Sequence, residues 1–169
     1  ILSEVAMVAG YDVKKSEVHG MAQRGGSVST HVRFGSKVYS PLIKEGEAEI
    51  FMAFEELEAL RYLAYLTPQP TILLNEQRLN PPAVALGNED YPADVKQVLS
   101  QRAKKFRSIP ARDLALQAGD VRAANVVLLG ALHSILSIPE KSWTDHILRR
   151  FPPQAGPANL EAFRLGKAA

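Results

Sequence analysis

The sequence contains no cysteine among its 169 residues. That absence excludes a cysteine nucleophile, a structural zinc site built on thiolates, a cysteine-ligated iron–sulfur cluster and a disulfide scaffold within the chain. An excess of one charge is missing too: 20 Lys and Arg stand against 18 Asp and Glu, for a net charge of +2. So small an excess demands neither nucleic acid nor an anionic membrane. The densest basic cluster, Arg102-Ala-Lys-Lys-Phe-Arg107, reads as the solvated face of a helix, with an anion or partner site as the alternative. No apolar run approaches the roughly 20 residues of a membrane span. The best candidate, Val126 to Leu132, runs into His133. No secretory leader is visible, and the expected location is the cytoplasm. G-x-G-x-x-G and Walker motifs are absent, so a dinucleotide or ATP site has no direct support.

What is present is ordinary for a globular protein: 46% hydrophobic and 22% charged residues. The length fits one domain, residues 1–169, with an adequate core. Ile1, Leu2, Val5, Ala6 and Ala9 recur at helical spacing before Gly10. The chain therefore opens inside a helix, and an upstream strand and turn are expected. Tyr11–Lys15 reads as a short strand. Ser27–Phe34 alternates Val28, Thr30, Val32 and Phe34 on one face, with Lys37–Ser40 as its expected hairpin partner. Glu49–Phe54 and Thr71–Asn75 are compact apolar strands of the buried parallel kind. A helix from Glu55 to Leu66 joins them into a right-handed βαβ unit.

The second half is mainly helical. Helices are expected from Tyr91-Pro92 to about Lys105, over Arg112–Ala118, from Val121 to about Ser137, after a Ser137–Glu140 capping box, and over Pro157–Leu165. Asp120 is placed to cap one of them. Phe106–Pro110 is a candidate last strand. The pattern gives an α/β fold with a sheet between helices.

The stretch Glu17-Val-His-Gly-Met-Ala-Gln-Arg-Gly-Gly-Ser27 concentrates polar groups at the carboxyl end of a strand, where open α/β sheets place ligand crevices. Glu17, His19, Gln23 and Arg24 supply hydrogen-bonding side chains. Gly20, Gly25 and Gly26 permit close backbone approach. Arg24 beside two glycines can form an anion cradle; a tight loop whose side chains bond each other explains the same residues equally well. Glu17 and His19 should share one face of a strand, within reach of His31. That spacing is not diagnostic of metal. Glu17 could orient His19 as a general base, yet no nucleophile has an evident base partner. Asn125 reads as a buried amide, Gly130 as a close helix contact, His133 and His146 as packing or surface residues, and Trp143 as a core or interface anchor.

The run Ser16–Val28 resembles the signature of gamma-type subunits of 2-oxoacid:ferredoxin oxidoreductases, above all the indolepyruvate oxidoreductase beta subunit and its keto-acid relatives. The likeness continues through His31–Gly35, Tyr39–Ile43, Ala53–Leu60, Arg122–Ala131 and Asn159–Phe163. It implies a three-layer αβα sandwich with a largely parallel central sheet, like the gamma domain of pyruvate:ferredoxin oxidoreductase. It implies a subunit, inactive alone, of an enzyme acting on the oxo group of donors. Such an enzyme decarboxylates a 2-oxoacid oxidatively to acyl-CoA and passes electrons to ferredoxin. Thiamine diphosphate, iron–sulfur clusters and coenzyme A would be held on or with other subunits, and those subunits are the implied partners. Neither nucleic acid nor a membrane is among them, and the isolated chain could form a homodimer. The residues carried over as a partner- or ligand-facing motif are Glu17, His19, Gly20, Gln23, Arg24, Gly25, Gly26 and Ser27, with no catalytic residue and no metal ligand assigned. One departure stands out: the family usually opens with a strand and a G-x-G-G-Q-G loop before the first helix, and this sequence does not contain them. The alternatives are a stand-alone coenzyme A or nucleotide-binding module and a purely structural assembly module.

Overall fold

The computed structural model describes residues 1–19 and 28–169. Helix α1 (Leu2–Val8) is followed by strands β1 (Asp12–His19) and β2 (Val28–Gly35). Gly10 turns the chain out of α1 at φ +90°, a conformation open to glycine and strained for residues with a Cβ. Strands β1 and β2 form their own two-stranded antiparallel ribbon, from Asp12 opposite Gly35 to His19 opposite Val28. This corrects the expected hairpin: residues 37–40 are not a strand, and β2 pairs backward with β1. The alternation of Lys37–Ser40 is matched by no ladder. Instead the Val38 amide donates to the Asp12 carboxylate at 2.9 Å, fastening the segment beyond β2 to the start of β1. The latter strand is also longer than expected and runs through Glu17 to His19.

A second sheet holds β3 (Ala48–Ala53), β4 (Leu66–Asn75) and β5 (Lys105–Ile109), all parallel, with β4 in the middle. Between β3 and β4 lies α2 (Glu56–Arg61), shorter than expected. The chain makes one tight turn at Leu63–Tyr65 and enters β4, since Pro68 and Pro70 disfavour helix at and before themselves. The rest is α3 (Pro82–Ala85), α4 (Val95–Arg102), α5 (Ala111–Gln117), α6 (Ala124–His133), α7 (Glu140–Arg150) and α8 (Gly156–Ala168). The basic cluster at 102–107 straddles the end of α4 and all but the end of β5, correcting the single helical face. Arg107 donates to Ser134 Oγ and to the Ala169 carbonyl, both at 2.6 Å, and so ties β5 to the end of α8.

Side chains alternate across β4 and feed two cores. Leu73, with Ile109 of β5, packs against Val5 of α1, Ala115 of α5, Val127 and Ala131 of α6, and Phe163 of α8. Ile72 and Leu74 point the other way, into Ala53, Ala59 of α2, and Val95 and Leu99 of α4. The parallel sheet thus has helices on both faces, the three-layer arrangement expected. At the base of the ribbon Val13 and Phe34 join the first core, and Tyr11 meets Phe34 edge-on at 5.4 Å. Its distal half stands clear: Glu17, Val18, His19 and Val28 are all exposed.

Helices α6 and α8 cross with their backbones nearly touching. A Cβ on Gly130 would fall on the Phe163 carbonyl and within 2.9 Å of the Lys167 amide nitrogen; one on Gly166 would fall on the Val127 carbonyl. Beside this crossing Trp143 is fully buried against His133 and Phe163, with ring centroids 5.8 and 6.0 Å away, so it is a core anchor. Glu140 opens α7 without capping it from the expected box; its carboxylate instead takes Lys167 at 2.5 Å. Asp120 does cap, accepting from the Arg122 amide at 2.9 Å.

Gly130→Val and Gly166→Val should each lower stability by about 3 kcal/mol, because the collision is with backbone that cannot turn aside. Urea unfolding checks this, with Gly35→Ala as a control, since nothing lies within 4 Å of a Cβ there. Burial holds the His133 imidazole below its ordinary 6.5, with Lys167 assisting and Glu140 opposing. On acidification the unfolded chain therefore takes the proton first. Stability from this group is intact above 6.5 and falls as pH drops through that value towards the lower folded one. His133→Leu should lose less melting temperature than the parent between about pH 7.5 and pH 5.5. Equal losses would count against the buried imidazole as the cause.

Candidate functional site

Side chains two apart on a strand share a face, and Lys15, Glu17 and His19 line the exposed distal part of the ribbon face whose base carries Val13. Glu17 bridges the other two: Lys15 Nζ lies 2.9 Å from Oε2, and His19 Nε2 lies 2.8 Å from Oε1. The hydrogen bond and charge of Lys15, with His19 contributing less, hold the Glu17 carboxyl below the usual glutamate range. Thr30 and Val28 stand opposite Glu17 and His19 on the same face.

His31 corrects one expectation. It pairs with Ser16, one residue out of phase, and so lies on the other face of the ribbon. There its Nδ1 accepts from the Ile43 amide at 3.0 Å, and its ring meets Tyr65 edge-on at 5.6 Å. It cannot join Glu17 and His19, and among the described residues no group of three or more His, Cys, Asp and Glu could hold a metal. A second correction concerns location: β1 belongs to the separate ribbon, not to the parallel sheet, so Glu17 and His19 do not sit at that sheet's carboxyl edge. Gly20, Gln23, Arg24, Gly25, Gly26 and Ser27 lie outside the described residues, in the connection between paired His19 and Val28.

The carboxyl edge of the parallel sheet carries a polar network that the sequence did not reveal. Glu55 caps α2 by accepting from the Glu58 amide at 2.8 Å, and also accepts from the Leu79 amide at 3.0 Å and the Tyr91 hydroxyl at 2.8 Å. Burial and the neighbouring Glu55 push the Tyr91 hydroxyl well above its usual range. Arg78 lies over the Tyr91 ring at 3.8 Å. Every Glu55 oxygen is satisfied from within the chain, which makes this a clamp joining α2, the 77–79 segment and Tyr91. The available signal was an acidic residue directly ahead of a helix. Beside it Asn75 is 3% exposed, donates to the Phe54 carbonyl at 3.0 Å, and has no partner for its side-chain oxygen. Asn125, expected to be buried, is exposed on the first turn of α6; among the described residues the buried amides are Asn75 and Asn159. No helix among the described residues is long and apolar enough to cross a membrane.

A parallel three-layer core with an antiparallel ribbon beside it is a fold shared with known proteins. The family model "Pyruvate ferredoxin/flavodoxin oxidoreductase" matches residues 1–169, and the chain belongs to that family. It is similar to indolepyruvate oxidoreductase subunit IorB of Pyrococcus horikoshii, 38% identical over the whole of this chain and 86% of the relative. The corresponding subunit of Archaeoglobus fulgidus is 43% identical over 82% of this chain and 70% of its own. The fold is also that of the keto/oxoacid ferredoxin oxidoreductase gamma subunit of Geobacter sulfurreducens, with TM-score 0.69, 20% identity, and 99% and 88% of the two chains covered. Pyruvate oxidoreductase subunit PORC of Thermotoga maritima matches with TM-score 0.68 and 19% identity over 99% and 84% of the two chains. The protein is thus a subunit of the pyruvate ferredoxin/flavodoxin oxidoreductase family, and part of an enzyme.

The two polar clusters should behave oppositely on mutation. Glu55→Ala leaves three donors without their acceptor and should cost about 3 kcal/mol in urea unfolding. Glu17→Ala, on an exposed face, should leave the unfolding midpoint unchanged. A large loss at Glu17 would make the row structural.

Proposed function

We propose that the chain serves a cytoplasmic enzyme that oxidatively decarboxylates an aromatic 2-oxoacid of the indolepyruvate kind to an acyl-CoA and carbon dioxide, with electrons passing to ferredoxin. The substrate class follows the names of the relatives, which cover this chain from end to end at 36–38% identity. Cysteine-ligated iron–sulfur clusters do not fit this chain's own residues, which include no cysteine. In this reading the clusters and thiamine diphosphate belong to the partner subunits, and coenzyme A is bound with those partners.

The single observation that carries the site is the exposed distal ribbon. A two-stranded ribbon alone is marginal in water, yet the distal half of this one holds an exposed polar row that no element among the described residues covers. A partner that covers the row would supply that cover. In this reading Glu17, His19, Gly20, Gln23, Arg24, Gly25, Gly26 and Ser27 face the thiamine-bearing subunit at the edge of its active site. The described residues Glu17 and His19 bring a carboxylate and an imidazole to that edge, and Arg24 brings a cation suited to a carboxylate or phosphate.

Co-expression with the partner subunits should give a stable hetero-oligomer in which Arg24→Ala lowers turnover about 10- to 100-fold with assembly intact. Subunit stoichiometry by native mass spectrometry and steady-state turnover check this. A fully active complex lacking the chain would overturn it.

A further inference from the structure

The polar row joins three side chains through one carboxylate. Both Glu17 oxygens are occupied, Oε2 by Lys15 at 2.9 Å and Oε1 by His19 Nε2 at 2.8 Å. An ionised carboxylate only accepts hydrogen bonds, so the ring nitrogen facing it carries a hydrogen. In the neutral ring the proton then sits on Nε2, and Nδ1 keeps its lone pair. The His19 side chain is 64% exposed, and Nδ1 has no partner among the described residues. Lys15 takes the second carboxylate oxygen, and an ammonium can only donate to it.

We infer that Lys15 and Glu17 are positioning residues that set His19 as a hydrogen-bond acceptor through Nδ1, presented to an N–H or O–H donor at the edge of the partner's active site. The inference rests on the reading above that this face meets the partner subunit. The arrangement makes a specific demand on the tautomer. If Glu17 becomes an amide, Lys15 still claims its oxygen, and the amide NH2 is left facing His19 Nε2. Two donors cannot face each other, so the proton moves to Nδ1 and the acceptor is lost.

The test uses the full chain labelled with 15N-histidine, alone and assembled with its partner subunits. His19 is assigned by the resonance lost in His19→Ala. Long-range proton–nitrogen correlation at about pH 8, where an imidazole is neutral, reads the tautomer. The parent should show Nε2–H, Glu17→Gln should show Nδ1–H, and Lys15→Met combined with Glu17→Gln should return to Nε2–H because the amide is free to turn. In the assembled enzyme Glu17→Gln should lower turnover about tenfold, and the double variant should regain most of it. An Nδ1–H ring in the parent, or the same tautomer in Glu17→Gln as in the parent, overturns the positioning role while leaving the subunit reading intact. The expected tautomers with unchanged turnover overturn the acceptor role. A chain that shows the expected tautomers but joins no partner overturns the subunit reading and, with it, this one.

Discussion

The two helical layers are arranged around β4, whose two faces are both denied to water. A strand flanked by parallel neighbours on both edges has no polar group to spare, and this one has apolar side chains pointing both ways: Leu73 to one side, Ile72 and Leu74 to the other. Helices must then cover both faces. One layer is provided by α2 and α4, connected closely to the strands they cover. The other is provided by α5, α6 and α8, with α1 at the side. The ribbon lies outside this scheme. It borrows the first core only at its base, through Val13 and Phe34.

Much of this could be read from the residues. The compact apolar runs at 49–54 and 71–75 identify themselves as buried parallel strands, and Phe106–Ile109 takes its place as the third. Failures came where pattern and pairing part company. Lys37–Ser40 has the alternation of a strand, but alternation cannot say whether a ladder exists, and Asp12 binds Val38 as a loop instead. His31 appears close to Glu17 and His19 until the register is known; a shift of one residue turns it to the opposite face. Asn125 departs from its reading because an apolar run does not say which side faces out: Ala123, Val126 and Val127 around it are buried, and Asn125 takes the outward position.

The candidate site was legible in composition more than in place. The residue types of the Glu17–Ser27 stretch marked it out, and the fold puts its described members Glu17 and His19 on a ribbon of its own, away from the edge of the parallel sheet. By contrast, the Glu55–Tyr91 network has the partners of an active site and none of its openness. Its carboxylate is spent on three donors of the same chain. Glu17 differs in what its partners can still do. Lys15 and His19 both remain exposed, so the charge and hydrogen bonds of the row can still be offered to another molecule.

The crossing of α6 and α8 has a consequence for how this chain can vary. A side chain that grows too large in a core can be answered by a smaller one opposite. At Gly130 and Gly166 the opposing atoms are carbonyls and an amide, which every residue carries alike. No second substitution relieves the conflict; only sliding one helix past the other would, and α8 is also tied to β5 by Arg107 and to α7 by the Lys167–Glu140 pair. The two glycines should therefore be constrained independently, showing no covariation with their neighbours, and sequence drift in this layer should be confined to the side chains around them.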